Sequence, residues 1–144
     1  MDNSVSSFFE EDHDRLDALF TRFLTLKCEE PGEAIELLRK FTDGLLRHIE
    51  WEEQILFPLF EANVGHSGGP TEVMRLEHSQ IKQLLERIRQ DITSGTDSAE
   101  YEQRLLSVLG EHNWKEENIL YPAMDNQLTS RQLAEVFDRI NATI

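Results

Sequence analysis

Two histidine–glutamate pairs carry the chemistry that this sequence could perform. His48 and Glu52 are four residues apart, and so are His112 and Glu116. On an α-helix, residues four apart share a face, so each pair would present an imidazole beside a carboxylate. Imidazole nitrogens and carboxylate oxygens are ligands of divalent transition metals. The pairs therefore indicate a metal site, provided that they face the interior.

The apolar pattern around the first pair predicts that it does face the interior. Steps of alternately three and four residues, the heptad pattern of a packed helix, lead through the pair. The predicted core positions are Ala34, Leu38, Phe41, Leu45, His48, Glu52, Ile55 and Leu59. Around the second pair they are Leu105, Leu109, His112, Glu116, Ile119 and Ala123. Burying an unpaired carboxylate or imidazole costs roughly several kcal/mol, so these polar core positions need a physical reason.

The stretch that holds the pair occurs twice. Segment 112–122 repeats segment 48–58 with the histidine, the Glu-Glu dipeptide and the proline aligned, at an offset of 64 residues. A single histidine in an acidic context lies upstream of each copy, His13 before the first and His78 before the second, at an offset of 65 residues. We therefore interpret the chain as a duplicated helical hairpin.

Helical periodicity and turn residues divide the chain into four long helices and a short fifth. They are predicted over residues 6–27, 33–61, 71–93, 98–124 and 130–142. We predict an all-α fold, an up-down-up-down antiparallel four-helix bundle with a short C-terminal helix. A single domain would cover residues 1–144, with the bundle over 6–124. Pro58 is expected to disturb the end of the second helix.

All four histidines should lie at one level of such a bundle, because the members of each hairpin are nearly equidistant from its turn. The glutamates follow one helical turn later, about 6 Å along the axis. The predicted metal ligands are His13, His48, Glu52, His78, His112 and Glu116. Six ligands are more than one tetrahedral zinc ion can bind, and they suit two divalent ions bridged by the carboxylates. Ligation rich in nitrogen and free of thiolate favours iron, with manganese or zinc as alternatives.

A purely structural role is the alternative for these residues, as satisfied core histidines or as surface pairs on acidic helices. Three carboxylates outside the seam, Glu50, Glu53 and Glu117, are interpreted as solvated, with support of a metal ligand as the alternative for one of them. Trp51 and Trp114 are interpreted as packing residues on the flank of the bundle.

These residues resemble the hemerythrin-like, or HHE cation-binding, family of non-haem di-iron four-helix bundles, over about residues 8–124. The resemblance implies a di-iron centre with an oxo or hydroxo bridge, ligated by the six residues above. Members of the family carry or sense O2, sense redox state, respond to iron, or defend against nitrosative and oxidative stress.

Two positions depart from the oxygen-carrying pattern of that family. Lys82 stands where the carriers have a further histidine, one turn after His78. Glu116, four residues after His112, stands in place of an aspartate five residues after it. The resulting set of four histidines and two glutamates is closer to that of di-iron proteins that repair iron–sulfur clusters damaged by nitric oxide.

The surroundings of the predicted site leave two questions open. Lys82 either enters the pocket, where it would pair with a bridging carboxylate, or points to solvent. Five apolar or aromatic residues should lie near the same end, either as a lid that admits small uncharged molecules or as end packing. They are Phe9, Phe57, Phe60, Met74 and Tyr121.

Composition restricts the partners. Twenty-eight acidic and 14 basic residues give a net charge of −14, which disfavours nucleic acids and anionic membranes. No apolar run approaches the roughly 20 residues of a membrane span, and no secretory signal is visible. One cysteine, Cys28, fits a reducing compartment, so we expect a cytoplasmic location. His66 is expected in an exposed loop.

Together these features predict a non-haem di-iron protein that binds or senses O2, NO or peroxide, in a stress response or in iron handling. One alternative is a di-iron enzyme that reacts with peroxide or NO, or that oxidises Fe(II). Another is a regulatory module that responds to metal. An electron donor is a possible partner, and the oligomeric state is left open.

Overall fold

The computed structural model describes residues 4–65 and 69–144, and every regular element in these ranges is helical. The α-helices are α1 (Val5–Leu26), α2 (Pro31–Trp51), α3 (Phe57–Val64), α4 (Pro70–Thr93), α5 (Ala99–Lys115), α6 (Tyr121–Gln127) and α7 (Ser130–Ala142). Two π-helical turns, π1 (Glu52–Leu56) and π2 (Glu116–Leu120), join α2 to α3 and α5 to α6. The all-α prediction is confirmed for these residues, and the expectation for His66 lies outside them.

The first hairpin consists of α1 and α2. Phe9 contacts His48, with ring centroids 5.1 Å apart, and Phe20 contacts Phe41 at 4.7 Å. Residue numbers rise along α1 while those of the contacted residues fall along α2, so the two helices are antiparallel. Close approach is possible at Gly44, because a Cβ there would lie 2.7 Å from Leu16 Cδ2.

The second hairpin consists of α4 and α5, which are also antiparallel. The rings of His78 and His112 lie 4.8 Å apart, and further along the pair the Arg87 guanidinium lies 5.0 Å from the ring centroid of Tyr101. The two copies of the sequence repeat thus have the same local architecture.

Polar contacts link the two hairpins at both ends. Asp125, on α6, accepts hydrogen bonds from the backbone N–H groups of Val5 and Ser6 at 2.6 and 3.0 Å. These groups begin α1, where N–H groups lack helical partners. At the other end, Lys27 donates to buried Glu102 at 2.7 Å. Both ends of α1 are therefore hydrogen-bonded to residues of the second half of the chain.

Each π-turn precedes a proline, and the proline explains it. A proline inside an α-helix lacks the N–H donor, and its ring clashes with the carbonyl four residues back. Here the backbone N–H of Phe57 bonds to the carbonyl of Glu52, five residues back, and that of Tyr121 bonds to Glu116 in the same way. Pro58 then falls in the first turn of α3, where no donor is required. The irregularity expected at Pro58 therefore lies on its N-terminal side.

The π-turns displace the buried seam by one residue, so beyond the glutamates the predicted heptad seams are right at Ile55, only partly right at Leu59 and Ala123, and wrong at Ile119. After Glu116 the buried residues are Leu120, Tyr121 and Met124, whereas Ile119 is 54% exposed. In the first copy Ile55 is still buried, but Leu56, Phe57 and Phe60 are buried as well and Leu59 is only partly buried.

Helix α7 packs on π1. Val136 and Ile140 are buried in the same apolar cluster as the residues of the first π-turn. Arg139 donates to the backbone carbonyl of Gln54 at 3.4 Å. That carbonyl is the one that Pro58, four residues later, leaves without its usual helical donor. α7 thus supports the element that carries Glu52.

The apolar core is divided into two clusters, one at each end of the hairpins. One includes Val5, Phe9, Leu56, Phe57, Met74 and Tyr121; the other includes Leu16, Phe20, Phe41, Ile81, Leu105 and Leu109. On each long helix the predicted ligands fall between residues of the two clusters. A polar layer therefore separates them. Within the described part of the chain, no helix is both long enough and apolar enough to span a membrane.

Candidate metal centre

The structure brings all six predicted ligands together in the interior. Their exposed fractions range from 0 to 3%. They form two overlapping groups, Glu52, His78, His112 and Glu116 in the first and His13, His48 and Glu116 in the second. Within each group the donor atoms lie within 4.8 Å of one another. Such spacing allows the donors of a group to share one ion.

Glu116 lies between histidines of both hairpins. Its Oε1 is 3.2 Å from Nε2 of His13 and 3.2 Å from Nε2 of His112, and its Oε2 is 3.8 Å from Nε2 of His78. The carboxylate can therefore reach both groups of donors, as a bridging ligand must.

Glu52 is placed in the corresponding way. Its Oε1 lies 3.0 Å from Nε2 of His78, and its Oε2 lies 3.6 Å from Nε2 of His48. Each glutamate begins a π-turn, so the two carboxylates enter the site at the same level from opposite hairpins.

Every histidine of the site is also hydrogen-bonded through Nδ1 to a carboxylate from another helical segment. The pairs are His48 with Asp12 (2.8 Å), His78 with Glu53 (2.7 Å), His112 with Glu77 (2.8 Å) and His13 with Glu117 (2.6 Å). A neutral imidazole that donates from Nδ1 keeps the lone pair of Nε2 for a metal. The four Nε2 atoms are the ones that face the glutamates.

These four hydrogen bonds form a ring through the structure. Asp12 of α1 contacts α2, Glu53 of π1 contacts α4, Glu77 of α4 contacts α5, and Glu117 of π2 contacts α1. The interpretation of Glu53 and Glu117 as solvated is therefore wrong, whereas Glu50 is exposed. Residues adjacent to a ligand fall off the α-helical seam, but they can still reach the neighbouring helix.

Tyr121 is the site residue that sequence reasoning placed only among the apolar residues of a lid or of the end packing. Its hydroxyl oxygen lies 2.6 Å from Glu52 Oε2 and 2.9 Å from Glu116 Oε1, and its proton can be donated to either. The same oxygen is 3.3 Å from Nε2 of His13 and of His48. Tyr121 is fully buried, so its polar atom belongs to the centre.

The other predicted neighbours are apolar walls. Phe57 stacks on His78, with centroids 6.0 Å apart and planes 7° apart, and Phe9 meets His48 edge-on. Met74 and Phe60 are buried in the same cluster. Lys82 is exposed, so the interpretation in which it enters the pocket is wrong.

The two tryptophans differ. Trp51 is buried on the flank as expected, and its indole N–H donates to Thr143 Oγ1 at 2.8 Å. Trp114 is 60% exposed, so its interpretation as a packing residue is wrong.

The buried carboxylates create a strong demand for positive charge. Burial by itself would lower the pKa of His48 and of His78, but Glu52 and Glu116 outweigh burial and raise both pKa values to about 10. Burial would raise the pKa of Glu116, yet attraction to His112 and its hydrogen bonds hold that pKa well below the usual range. Protons on imidazole supply this charge when no metal does.

The unpaired atoms of the site also fit a bound cation. Three buried side-chain atoms of the described residues make no hydrogen bond, Glu52 Oε1, His78 Nε2 and Glu116 Oε2. Buried polar atoms are normally paired, and an unpaired one costs about 1–3 kcal/mol. All three belong to one group of candidate ligands and face the same volume. One divalent cation would satisfy all three at once.

Comparisons with known proteins identify the family of this chain. The family model of the hemerythrin HHE cation binding domain matches residues 4–124. A curated relative called DNA nickase, from Nostoc sp. (strain PCC 7120), is 28% identical over 91% of this chain and 36% of its own length. The iron-sulfur cluster repair protein YtfE of Enterobacter sp. (strain 638) is 32% identical over 67% of this chain and 49% of its own length. YtfE of Escherichia coli O81 (strain ED1a) is 33% identical over 64% and 47%, respectively.

The chain thus spans from about a third to a half of the length of these curated relatives. No solved structure gives a significant match. The family model covers most of the chain, including all six candidate ligands. The chain therefore belongs to the hemerythrin family of HHE cation-binding domains.

Proposed function

We propose that this chain is a non-haem di-iron protein. His78 and His112 would hold one iron, His13 and His48 the other, and the two glutamates would bridge them beside a solvent-derived oxo or hydroxo group. The observation that carries the proposal is the convergence of four imidazole Nε2 atoms and two carboxylates in a buried, thiolate-free layer. Manganese and zinc use similar donors, so the donor set fits three metals, of which we propose iron.

We also propose how the helices are arranged. The two antiparallel hairpins would form an up-down-up-down four-helix bundle, with α7 as a cap, in a single domain. The ring of histidine–carboxylate hydrogen bonds supports this arrangement, because it links four helical segments in succession.

The proposed role is to bind or sense a small ligand, O2, NO or peroxide. Apolar rings of Phe9 and Phe57 against two of the histidines restrict the site to small molecules and exclude bulk water. Iron supplies affinity for diatomic ligands and one-electron chemistry. The likeness to YtfE proteins, whose name states iron–sulfur cluster repair, supports a place in the nitrosative or oxidative stress response.

Two alternatives have the same metal centre but a different function. A di-iron enzyme would turn over peroxide or NO or oxidise Fe(II), and a regulator would change conformation on metal loading. Repair itself is not carried over, because the chain spans about half of the YtfE proteins. Likewise, the net charge of −14 opposes contact with DNA phosphates, although one relative is named a nickase.

The proposal is tested by iron analysis of protein purified without oxygen and reconstituted with Fe(II). We expect about two irons per chain, as two-metal sites hold. His48→Ala and His112→Ala should each lose iron. His66→Ala, which changes the one histidine outside the set of candidate ligands, is the matched control and should keep both ions. Absence of bound iron under every loading condition would refute the centre.

The role is then read from optical spectra before and after exposure to O2 or NO. A spectrum that returns on removal of the gas indicates binding or sensing. Continued consumption of peroxide or Fe(II) over many equivalents indicates an enzyme. A large change in helicity on metal loading, without either behaviour, indicates the regulator.

A further inference from the structure

We propose that Tyr121 is a seventh protein ligand, which coordinates the ion held by His13 and His48 through its phenolic oxygen. This inference rests on the proposed function, because it concerns one of its two ions. The sequence pattern of histidines and glutamates does not include this residue.

The first reason is that the two groups of donors are unequal. The group around His78 and His112 has four residues that can each offer an atom, whereas the group around His13 and His48 has three. Both groups include Glu116. Even if Glu52 bridges to this side through Oε2, which lies 3.6 Å from Nε2 of His48, the ion there would have only four protein donors, so a further oxygen donor has a coordination position to fill.

The second reason is the position of the phenolic oxygen. It lies 2.6 and 2.9 Å from oxygens of Glu52 and Glu116, and 3.3 Å from Nε2 of both His13 and His48. In an octahedral site with bonds of about 2.1 Å, each donor has four neighbours at about 3 Å. Tyr121 has those four neighbours, as the donor at one vertex would.

The third reason is an asymmetry between the repeats. Tyr121 follows Glu116 by five residues, and the corresponding residue after Glu52 is Phe57. Phe57 offers no donor atom and stacks on His78 instead. The three unpaired buried atoms all lie in the group on the Phe57 side. Because Phe57 offers no donor, the ion of that group would keep an open position, where an external ligand would bind.

Coordination by Tyr121 would release one proton, as it does for other acidic ligands. The Tyr121 O–H bond breaks, the oxygen forms its bond to the ion, and the proton leaves to solvent as the metal enters. No oxidant or reductant is needed for this step. A hydroxyl that merely oriented the two carboxylates would keep its proton.

The experiment uses the iron-loaded protein after oxidation to the di-ferric state. A phenolate bound to Fe(III) gives a visible charge-transfer band and phenolate vibrations in resonance Raman spectra excited within that band. We expect both in the unchanged protein and neither in Tyr121→Phe, which should still bind iron through its other ligands. The chain has two tyrosines, so Tyr101→Phe, at the surface between Arg87 and Arg104, is the matched control and should keep both signals.

Four results would overturn the inference. Two bound irons without any phenolate signal would refute it while leaving the proposed function intact. One iron per chain that rises to two in Tyr121→Phe would show that the hydroxyl occupies the place of an ion. A phenolate signal that persists in Tyr121→Phe would assign it elsewhere. Absence of iron altogether would refute the proposed function, and this inference with it.

Discussion

Each histidine of the candidate site is held at Nδ1 by a carboxylate that is not itself a candidate ligand. Asp12 illustrates the arrangement, since it accepts from Nδ1 of His48 and is itself contacted by Arg15 at 3.1 Å. Burial would raise the pKa of Asp12, but the hydrogen bond with His48 and the charge of Arg15 keep it below its ordinary value. A carboxylate that stays charged keeps the imidazole oriented and makes Nε2 a better donor.

Asp12→Asn should therefore weaken metal binding without removing a ligand. Loss of a supporting carboxylate typically lowers metal affinity by about 10- to 100-fold. Competition with a chelator of known affinity measures this change. Asp14→Asn removes the same charge from an exposed position two residues away and should leave the affinity nearly unchanged. Equal effects of both variants would assign the loss to net charge instead.

The sequence predicted the six central residues but not their surroundings, and the reason lies in the helix geometry. His48 and Glu52 are four residues apart, a spacing that α-helical periodicity places on one face. Tyr121 lies five residues after Glu116, which in an α-helix turns it about 140° away around the axis. The π-turn takes one more residue per turn than an α-helix, so it returns Tyr121 to the same face as Glu116. A glutamate followed six residues later by proline, in both copies, is the signal that could have found it.

At the scale of elements, the hairpins differ in how closely their helices approach. Gly44 lies where a Cβ would come 2.7 Å from Leu16 Cδ2, and Leu16 is buried and cannot easily move. Gly110 has open space within 4 Å of its Cβ position. Both glycines lie inside helices, so they cost the helix the same conformational entropy. Only at Gly44 does packing require a glycine.

The two glycine-to-alanine variants should therefore have opposite effects on stability. Gly110→Ala should raise the free energy of unfolding by about 0.5–1 kcal/mol, which is the helical preference for alanine. Gly44→Ala gains the same preference but must displace Leu16, and overpacking of a core typically costs about 1–3 kcal/mol. Urea unfolding of the metal-free proteins measures both. Equal stabilisation would show that α1 and α2 separate freely.

The π-turns are elements that the sequence pattern alone could not resolve. Pro58 indicated an irregularity but not its side or its size, and the predicted helices ran through Glu52 and Glu116 without a break. The resulting error is one residue of register, which is enough to expose Ile119 and bury Leu120. Helix α7 was predicted within one residue of its observed bounds, since Thr129 and Gln132 form a reciprocal cap at its start.

At the scale of the whole molecule, a charged layer divides the core and couples stability to pH. In the metal-free protein, the pKa values of His48 and His78 are about 10, against an ordinary value of 6.5. A pKa raised by folding contributes stability that is complete below the unfolded value and is lost as pH rises through the folded value. The loss should therefore fall between about pH 6.5 and 10.

Metal-free protein should accordingly unfold at a lower urea concentration at pH 9.5 than at pH 7, whereas metal-loaded protein should resist this change. A bound cation replaces the protons, so metal affinity rises over the same range in which the metal-free protein weakens. Unfolding curves with and without metal at several pH values provide the measurement. A metal-free midpoint that stays constant across the range would contradict the protonated state of these histidines.

The ring of histidine–carboxylate hydrogen bonds also carries a record of ancestry. Each hairpin provides half of the candidate ligands, together with one carboxylate that supports its own histidine and one that supports a histidine of the other hairpin. Such reciprocity is the rule at a two-fold symmetric interface. It implies an ancestor in which one short hairpin paired with an identical copy and the centre was complete only in the dimer. Tyr121, Phe57 and α7 then mark where the fused copies differ, because the second copy has a tyrosine where the first has a phenylalanine, and α7 packs on the π-turn of the first copy.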